Sequence, residues 1–172
     1  MVSVLLSSSP APPTPIALML TPREASEARL YTFSPDTKDK LRKFRLGTSR
    51  AKDPQAVVYQ IDKKTLEIAP ASPDVYTNLQ DLADALPDHS PRFVLLSYPL
   101  TLPSGRLSVP YVMLNYLPET CNAELKMLYA GAKELLRNTA EVNRIIEIGS
   151  EEEVEEIEER LTAMADEGGK VF

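Results

Sequence analysis

The stretch of residues 109–148, VPYVMLNYLPETCNAELKMLYAGAKELLRNTAEVNRIIEI, decides the fold of this chain. Its two ends, residues 109–116 and 145–148, carry apolar strand patterns. Between them, apolar residues recur at helical spacing over residues 122–142. The inner face of that helix consists of Leu125, Leu128, Tyr129, Ala132, Leu135, Leu136 and Thr139. The stretch therefore predicts a strand, a long amphipathic helix and a second strand.

Similar signals place further elements on either side of this stretch. The helix-start pattern Ser-Pro-Asp occurs at residues 34–36 and again at 72–74, and the helices that follow end at Gly47 and Pro87. A last helix begins at Ser150. Strand patterns cover three more segments, residues 56–61, 66–68 and 92–98. The order α-ββ-α-ββ-α-β-α predicts the α/β class, with a single mixed β-sheet sandwiched between α-helices.

The domain organisation follows from length and local composition. The 172 residues amount to one domain. Residues 1–27 are rich in Ser and Pro and show neither helical nor strand periodicity, which predicts a disordered N-terminal extension. Residues 28–164 carry the amphipathic patterns and form the predicted domain. Residues 165–172 are predicted to be a flexible tail.

Composition excludes several classes of function. The chain has 19 basic and 25 acidic residues, a net charge of −6, which argues against nucleic-acid binding. No apolar run is long enough to span a membrane. The single cysteine excludes an internal disulfide and a multi-cysteine zinc site, and no Gly-rich phosphate loop is present. We therefore expect no cofactor, no metal, no nucleic acid and no membrane partner.

The residues that could carry chemistry are few. His89 lies between Asp88 and Ser90 in a loop bounded by prolines, but a catalytic triad needs groups from separate elements. Cys121 precedes the long helix, where a thiol pKa can fall, but the sequence offers it no evident base. We expect no enzyme; the alternative from that class is a small hydrolase that uses Cys121 or His89.

Charge is distributed unevenly and indicates either solvated faces or protein-docking patches. Residues 38–52 contain seven basic residues and one acidic residue, whereas the charged residues of 147–167 are all acidic apart from Arg160. On the long helix, Lys126, Ala130, Lys133 and Arg137 form an outer stripe with Met127 at its rim, and we expect Lys126 and Lys133 to face solvent. Gly131 in the same helix indicates either tight internal packing or close approach by a partner backbone.

Four segments together resemble one protein family. They are KLRKFR at residues 40–45, SPRFVL at 90–95, Gly105-Arg106, and KMLYAGA at 126–132. On these segments the chain is similar to the glia maturation factor family, closest to its fungal form, which belongs to the actin-depolymerising-factor homology superfamily. The resemblance covers about residues 27–161. It assigns residues 28–164 to an actin-depolymerising-factor homology domain.

The resemblance implies a regulator of the actin cytoskeleton without catalytic residues or a cofactor. It implies a monomer that binds the actin-related protein 2/3 complex, inhibits nucleation of branched actin and promotes filament debranching. The expected location is the cytoplasm, at cortical actin patches, with a nuclear pool in addition. One implied docking surface comprises the N-terminal segment and the long helix, and it would face the barbed-end groove of an actin-related subunit. Its residues on the long helix are Lys126, Met127, Ala130, Lys133 and Arg137. A second surface, facing the first actin subunit of the daughter filament, comprises Pro103, Ser104, Gly105 and Arg106.

Two questions stay open at this point. The basic helix with Lys40, Arg42, Lys43 and Arg45 matches the family, and we include it among the candidate protein-binding residues, although its contact with the partner is not fixed by sequence. The alternative function is a cofilin-like protein that binds, severs and depolymerises filaments. The acidic last helix argues against that alternative, because actin is itself acidic and this face lacks the basic side contact of cofilin.

Overall fold

A five-stranded mixed β-sheet forms the centre of the fold. The structure, a computed structural model, describes residues 30–48 and 50–169. The predicted disordered extension, residues 1–27, lies outside the described residues. The strands are β1 (Gln55–Ile61), β2 (Ile68–Pro70), β3 (Arg92–Ser97), β4 (Leu100–Thr101), β5 (Leu107–Ser108), β6 (Tyr111–Tyr116) and β7 (Arg144–Ile148). The helices are α1 (Pro35–Thr48), α2 (Leu79–Ala85), α3 (Ala123–Ala140), α4 (Glu151–Glu155) and α5 (Ile157–Gly169).

The sheet order is β2-β1-β3-β6-β7; β6 and β7 pair in parallel, and the other described pairs of this sheet are antiparallel. The long helix α3 connects these two strands, because a parallel pair needs a crossover rather than a hairpin. In their register Asn115 lies opposite Glu147 and Tyr116 opposite Ile148. Strands β4 and β5 form a separate two-stranded hairpin between β3 and β6. The mixed sheet confirms the predicted fold class.

Each face of the sheet carries its own hydrophobic core. On one face, Val94 and Leu114 pack in a cluster with Leu82 of α2, Val154 of α4 and Leu161 of α5. On the other face, the buried strand residues Phe93, Leu95 and Met113 pack with residues of α1 and α3, namely Leu41, Tyr129, Ala132 and Leu136. Because both faces are covered, β3 is apolar throughout its middle rather than alternating.

Two predicted helix boundaries need correction. The Ser-Pro-Asp signal at 72–74 does not start a helix, because the backbone bends at residues 71–73 and Tyr76 then exchanges both backbone hydrogen bonds with Ala56 at 2.8 Å. Helix α2 starts later, where the Asn78 side chain accepts a hydrogen bond from the Asp81 amide. The predicted last helix is two helices separated at Glu156, and α5 continues to Gly169, past the predicted start of the tail.

Candidate functional site

Helix α3 is held at both ends and along its inner face. The Asn122 side chain accepts a hydrogen bond from the Leu125 amide at 2.8 Å, and Glu141 ends the helix in the left-handed conformation, with φ of 56°. The buried Tyr129 hydroxyl accepts a hydrogen bond from the Ile61 amide of β1 at 3.0 Å. These contacts fix the rotation of the helix, and hence which residues it presents outward.

We call the outward residues of α3 the docking stripe: Lys126, Met127, Ala130, Lys133 and Arg137. Met127 and Ala130 are exposed, and Met127 keeps 68% of its surface. An exposed Met is adaptable apolar surface that suits a protein contact. Of these five residues only Met127 and Ala130 are exposed, whereas Lys126, Lys133 and Arg137 are half-buried.

The cations of the docking stripe are less free than the sequence suggests. Lys133 pairs with Glu147 of β7 at 3.3 Å, and its side chain keeps 27% of its surface. Arg137 pairs with Glu134 at 2.9 Å. Lys126 is partly buried and donates from Nζ to the Glu119 carbonyl at 3.4 Å. The expectation that Lys126 and Lys133 simply face solvent is wrong, because neighbouring acceptors hold both ammonium groups against the surface.

Gly131 is explained by packing inside the molecule. A Cβ at this position would lie 2.6 Å from the Tyr31 hydroxyl. That hydroxyl donates a hydrogen bond to the Leu128 carbonyl of α3 at 2.7 Å, and Tyr31 is 8% exposed. The tight-packing interpretation is confirmed. A partner backbone does not need this space, since Tyr31 already occupies it.

The second predicted surface is the β4–β5 hairpin. Pro103, Ser104, Gly105 and Arg106 are all exposed at its tip. Gly105 has φ of +86°, a backbone conformation that other residues adopt at a cost. The turn is closed by hydrogen bonds from the Gly105 amide to the Leu102 carbonyl and from the Leu102 amide to the Arg106 carbonyl, both 2.8 Å.

The hairpin also exposes apolar residues that the sequence analysis did not single out. Leu107 keeps 77% of its surface and Val109 keeps 39%. In the sequence these are simply two apolar residues beside a turn, a pattern that predicts a buried strand as readily as an exposed surface. Together with Arg106, they give the hairpin an exposed surface of mixed apolar and basic character.

An acidic face lies next to the hairpin. A groove of about 590 Å³ runs between Pro103 and the outer side of α4 and α5, lined by Glu155, Glu158, Glu159 and Asp166. The Tyr98 hydroxyl donates to Glu158 at 2.8 Å, and burial, with the neighbouring carboxylate, raises the pKa of Tyr98 to about 12. Arg160 is the one basic residue of these two helices, and its guanidinium Nη1 lies 3.6 Å from Glu153 Oε2.

The basic residues of α1 divide into paired and unpaired groups. Lys40 pairs with Asp36 at 2.9 Å, and Arg45 pairs with Glu141 at the end of α3 at 2.7 Å. Lys38, Arg42 and Lys43 are exposed and make no ion pair with any residue that the structure describes. The structure does not place α1 within the docking stripe, although α1 and α3 pack side by side.

The residues considered for hydrolysis do not form a catalytic arrangement among the described interactions. His89 Nδ1 lies 2.8 Å from Thr120 Oγ1, and the Thr120 hydroxyl donates its proton to the Asp88 carbonyl. Nδ1 must therefore be the donor, and it holds a loop rather than activating a nucleophile. Cys121 is buried as a free thiol. Within residues 30–48 and 50–169 no helix is both long and apolar enough to cross a bilayer.

Comparisons with known proteins assign the family. The profile of the family described as cofilin/tropomyosin-type actin-binding protein matches residues 30–162. The chain is 36% identical to Protein AIM7 of Saccharomyces cerevisiae over 145 residues, which cover 78% of this chain and 97% of that protein. It is 36% identical to human glia maturation factor beta over 127 residues, or 70% of this chain and 84% of that protein.

Solved structures agree with this assignment. The solution structure of glia maturation factor from Caenorhabditis elegans superposes with a TM-score of 0.61 at 28% identity, covering 72% of this chain and 88% of that one. A crystal structure of Streptomyces griseoflavus cofilin has the same TM-score, 0.61, at 18% identity, and so shows the shared fold alone. The chain belongs to the cofilin/tropomyosin-type actin-binding protein family, in its glia maturation factor branch, and is an actin-associated regulator.

Proposed function

We propose that this chain binds the actin-related protein 2/3 complex, inhibits its nucleation of branched actin, and promotes filament debranching. The observation that carries the proposal is the docking stripe. Its exposed centre, Met127 and Ala130, is flanked by Lys126 and Lys133 on a helix whose rotation is fixed by buried contacts. A rigid helix with an apolar centre and a cationic margin fits an acidic groove of a partner subunit.

The proposed action is competitive occupancy of a branch junction. Helix α3 covers one face of the sheet, whereas the hairpin adjoins α4 and α5, which cover the other face. One molecule can therefore contact an actin-related subunit with the docking stripe and a neighbouring actin subunit with Arg106 and Leu107. Contacts on two sides of a junction weaken it without breaking a covalent bond, so the activity requires no nucleophile, metal or cofactor.

Selectivity against filament severing is proposed to come from the acidic face. Glu155, Glu158 and Glu159 lie beside the hairpin, where a filament-side contact would need basic residues. Actin is acidic, so these carboxylates repel the side of an intact filament. We propose that a protein with this charge pattern acts at branches, at cytoplasmic sites of branched assembly such as cortical actin patches.

Imaging of pre-branched filaments with the full chain tests the proposal. We expect fewer branches at unchanged length of the mother filaments. Met127→Glu, a change at an exposed position that leaves the core intact, should abolish debranching, because it places a carboxylate in the centre of the docking stripe. Lys63→Gln lowers the net charge by the same single unit in the exposed turn after β1 and should keep full activity.

Two results of this experiment would contradict the proposal. Shortened mother filaments would assign the chain to the cofilin-like class of severing proteins. Full debranching by Met127→Glu would remove the docking stripe from the mechanism.

A further inference from the structure

An apolar groove lies beside α1, apart from the docking stripe and the hairpin. We call it the α1 groove; its apolar lining consists of Phe44, Val57, Tyr59, Pro70, Pro73 and Val75. It holds about 360 Å³, room for a large side chain. Val57 and Tyr59 of β1 are buried, whereas Val75 at the margin keeps 49% of its surface.

Helix α1 forms one side of this groove. The Phe44 ring contacts Tyr111 of β6, with ring centroids 6.1 Å apart, so α1 reaches toward the middle of the sheet. Helix α1 also contacts β2, so it passes above β1. The chain segment after β2 forms the opposite side of the groove, and Pro73 and Val75 of that segment line it.

That bordering segment is firmly attached to the sheet. The Ala71 amide donates to the Val58 carbonyl at 2.8 Å, and Tyr76 and Ala56 exchange backbone hydrogen bonds at the same distance. The Ser72 and Tyr76 hydroxyls lie 3.2 Å apart. These contacts fix both ends of residues 72–75, so the groove has a built wall rather than a loose loop.

The margin of the α1 groove is basic. Lys40 and Lys43 line it, and Arg42 and Lys38 extend the positive charge along the exposed side of α1. Helix α1 has five basic and two acidic residues in a chain whose net charge is −6. This local reversal of sign is complementary to an acidic partner.

We propose that the α1 groove is a second protein-docking site, which takes an acidic segment of another protein with one bulky apolar side chain. The apolar side chain enters the groove over Val57 and Tyr59, and its acidic neighbours pair with Lys40 and Lys43. This site is independent of the proposed binding by the docking stripe. A recessed apolar pocket between charges favours a peptide over an anionic membrane, because lipid headgroups carry no side chain to fill it.

Fluorescence anisotropy with the full chain tests this site. The probe is a labelled twelve-residue peptide of Asp and Glu with one central Trp, and a second peptide has Ser in place of Trp. We expect saturable binding of the Trp peptide that weakens with added salt, and affinity about tenfold lower for the Ser peptide. Lys40→Glu with Lys43→Glu should also lower affinity by about tenfold or more.

The matched control is Lys63→Glu with Lys64→Glu, which changes the net charge equally in the exposed turn after β1. It should bind the Trp peptide nearly as well as the unaltered chain. Circular dichroism checks that each variant folds, and the neutral change Lys43→Met replaces the double variant if that one does not fold. Lys43→Met should then lower affinity while the control does not.

Several results would overturn the proposal. Equal losses in the α1 variant and its control would mean attraction by overall charge alone. Equal binding of the Trp and Ser peptides would show that the α1 groove does not bind the apolar side chain. Lysine-dependent binding to phosphatidylserine vesicles without peptide binding would assign α1 to membranes. Self-association that depends on Lys40 and Lys43 would make a second copy of this chain the occupant.

Discussion

Gly131→Ala should destabilise this protein, although Ala is the better helix former. The new Cβ would lie 2.6 Å from the Tyr31 hydroxyl, so the ring must move. Tyr31 cannot simply follow the chain outward, because its neighbour Thr32 is hydrogen-bonded to Leu66 and Ile68. The ring therefore tilts away from α3 and gives up its hydrogen bond to the Leu128 carbonyl.

The expected magnitude follows from three contributions. Replacing Gly by Ala inside a helix gains about 1 kcal/mol. Loss of the Tyr31 hydrogen bond costs about 1 kcal/mol, and partial exposure of a ring that is now 8% exposed costs about 2 kcal/mol. Gly131→Ala should therefore lower the free energy of unfolding by about 2 kcal/mol.

A double-mutant cycle isolates the Tyr31 contact. In a Tyr31→Phe background the nearest ring atoms lie 3.5 and 3.6 Å from the new Cβ, which is ordinary van der Waals distance. Gly131→Ala should then stabilise by up to about 1 kcal/mol, so its effect changes sign. Gly47→Ala, whose Cβ meets nothing within 4 Å, is the control and should not destabilise.

Urea denaturation of the unaltered chain, the two single variants and the double variant measures this cycle. If Gly131→Ala shifts the midpoint equally in both backgrounds, Tyr31 does not pack against Gly131 and the explanation for this glycine is wrong.

The remaining predictions concern the proposed contacts and the alkaline limit of stability. Lys126→Glu with Lys133→Glu should weaken binding to the actin-related protein 2/3 complex by about 2 kcal/mol in a titration. The double variant should also unfold at a lower temperature, because the new carboxylate at position 133 faces Glu147. Unchanged affinity would show that the docking stripe does not bind the complex. Arg106→Ala should reduce debranching in filament imaging without changing the thermal midpoint, since Arg106 is exposed. Full debranching activity of this variant would show that Arg106 of the hairpin takes no part in the mechanism. Burial raises the pKa of Tyr59 from 10.0 to about 12, so the stabilisation it gives is complete below pH 10 and is lost as the pH rises toward 12. Tyr59→Phe should flatten that loss in urea titrations at successive pH values, and an equally steep loss would contradict it.

The parts of this fold that depend on local periodicity could be predicted from sequence. The inner face of α3 needed only helical spacing and capping, and Tyr129, Ala132 and Leu136 are buried as predicted. Gly131 could be singled out because a glycine inside a helix lowers the stability of that helix. The residue that packs against it, Tyr31, is far away in the chain. Tyr31 and Leu128 are 97 residues apart, and no spacing rule connects them.

The parts that depend on strand register could not be predicted in the same way. The parallel pairing of β6 and β7 brings Glu147 beside Lys133, which changes a solvent-facing cation into a partner of an ion pair. Residues 72–74 carry a sound helix-start signal, but hydrogen bonds of the surrounding segment with β1 keep them out of a helix. Tertiary contacts override local preference there, and this segment forms one side of the α1 groove.

The most direct test of the central claim is a pull-down that compares two partners. The full chain and Met127→Glu are immobilised at equal density and are offered either purified actin-related protein 2/3 complex or actin filaments alone. We predict that the full chain retains the complex and little filament, and that Met127→Glu loses about nine tenths or more of the retained complex. Filaments retained as well as the complex, or a complex retained equally by both chains, would contradict the account.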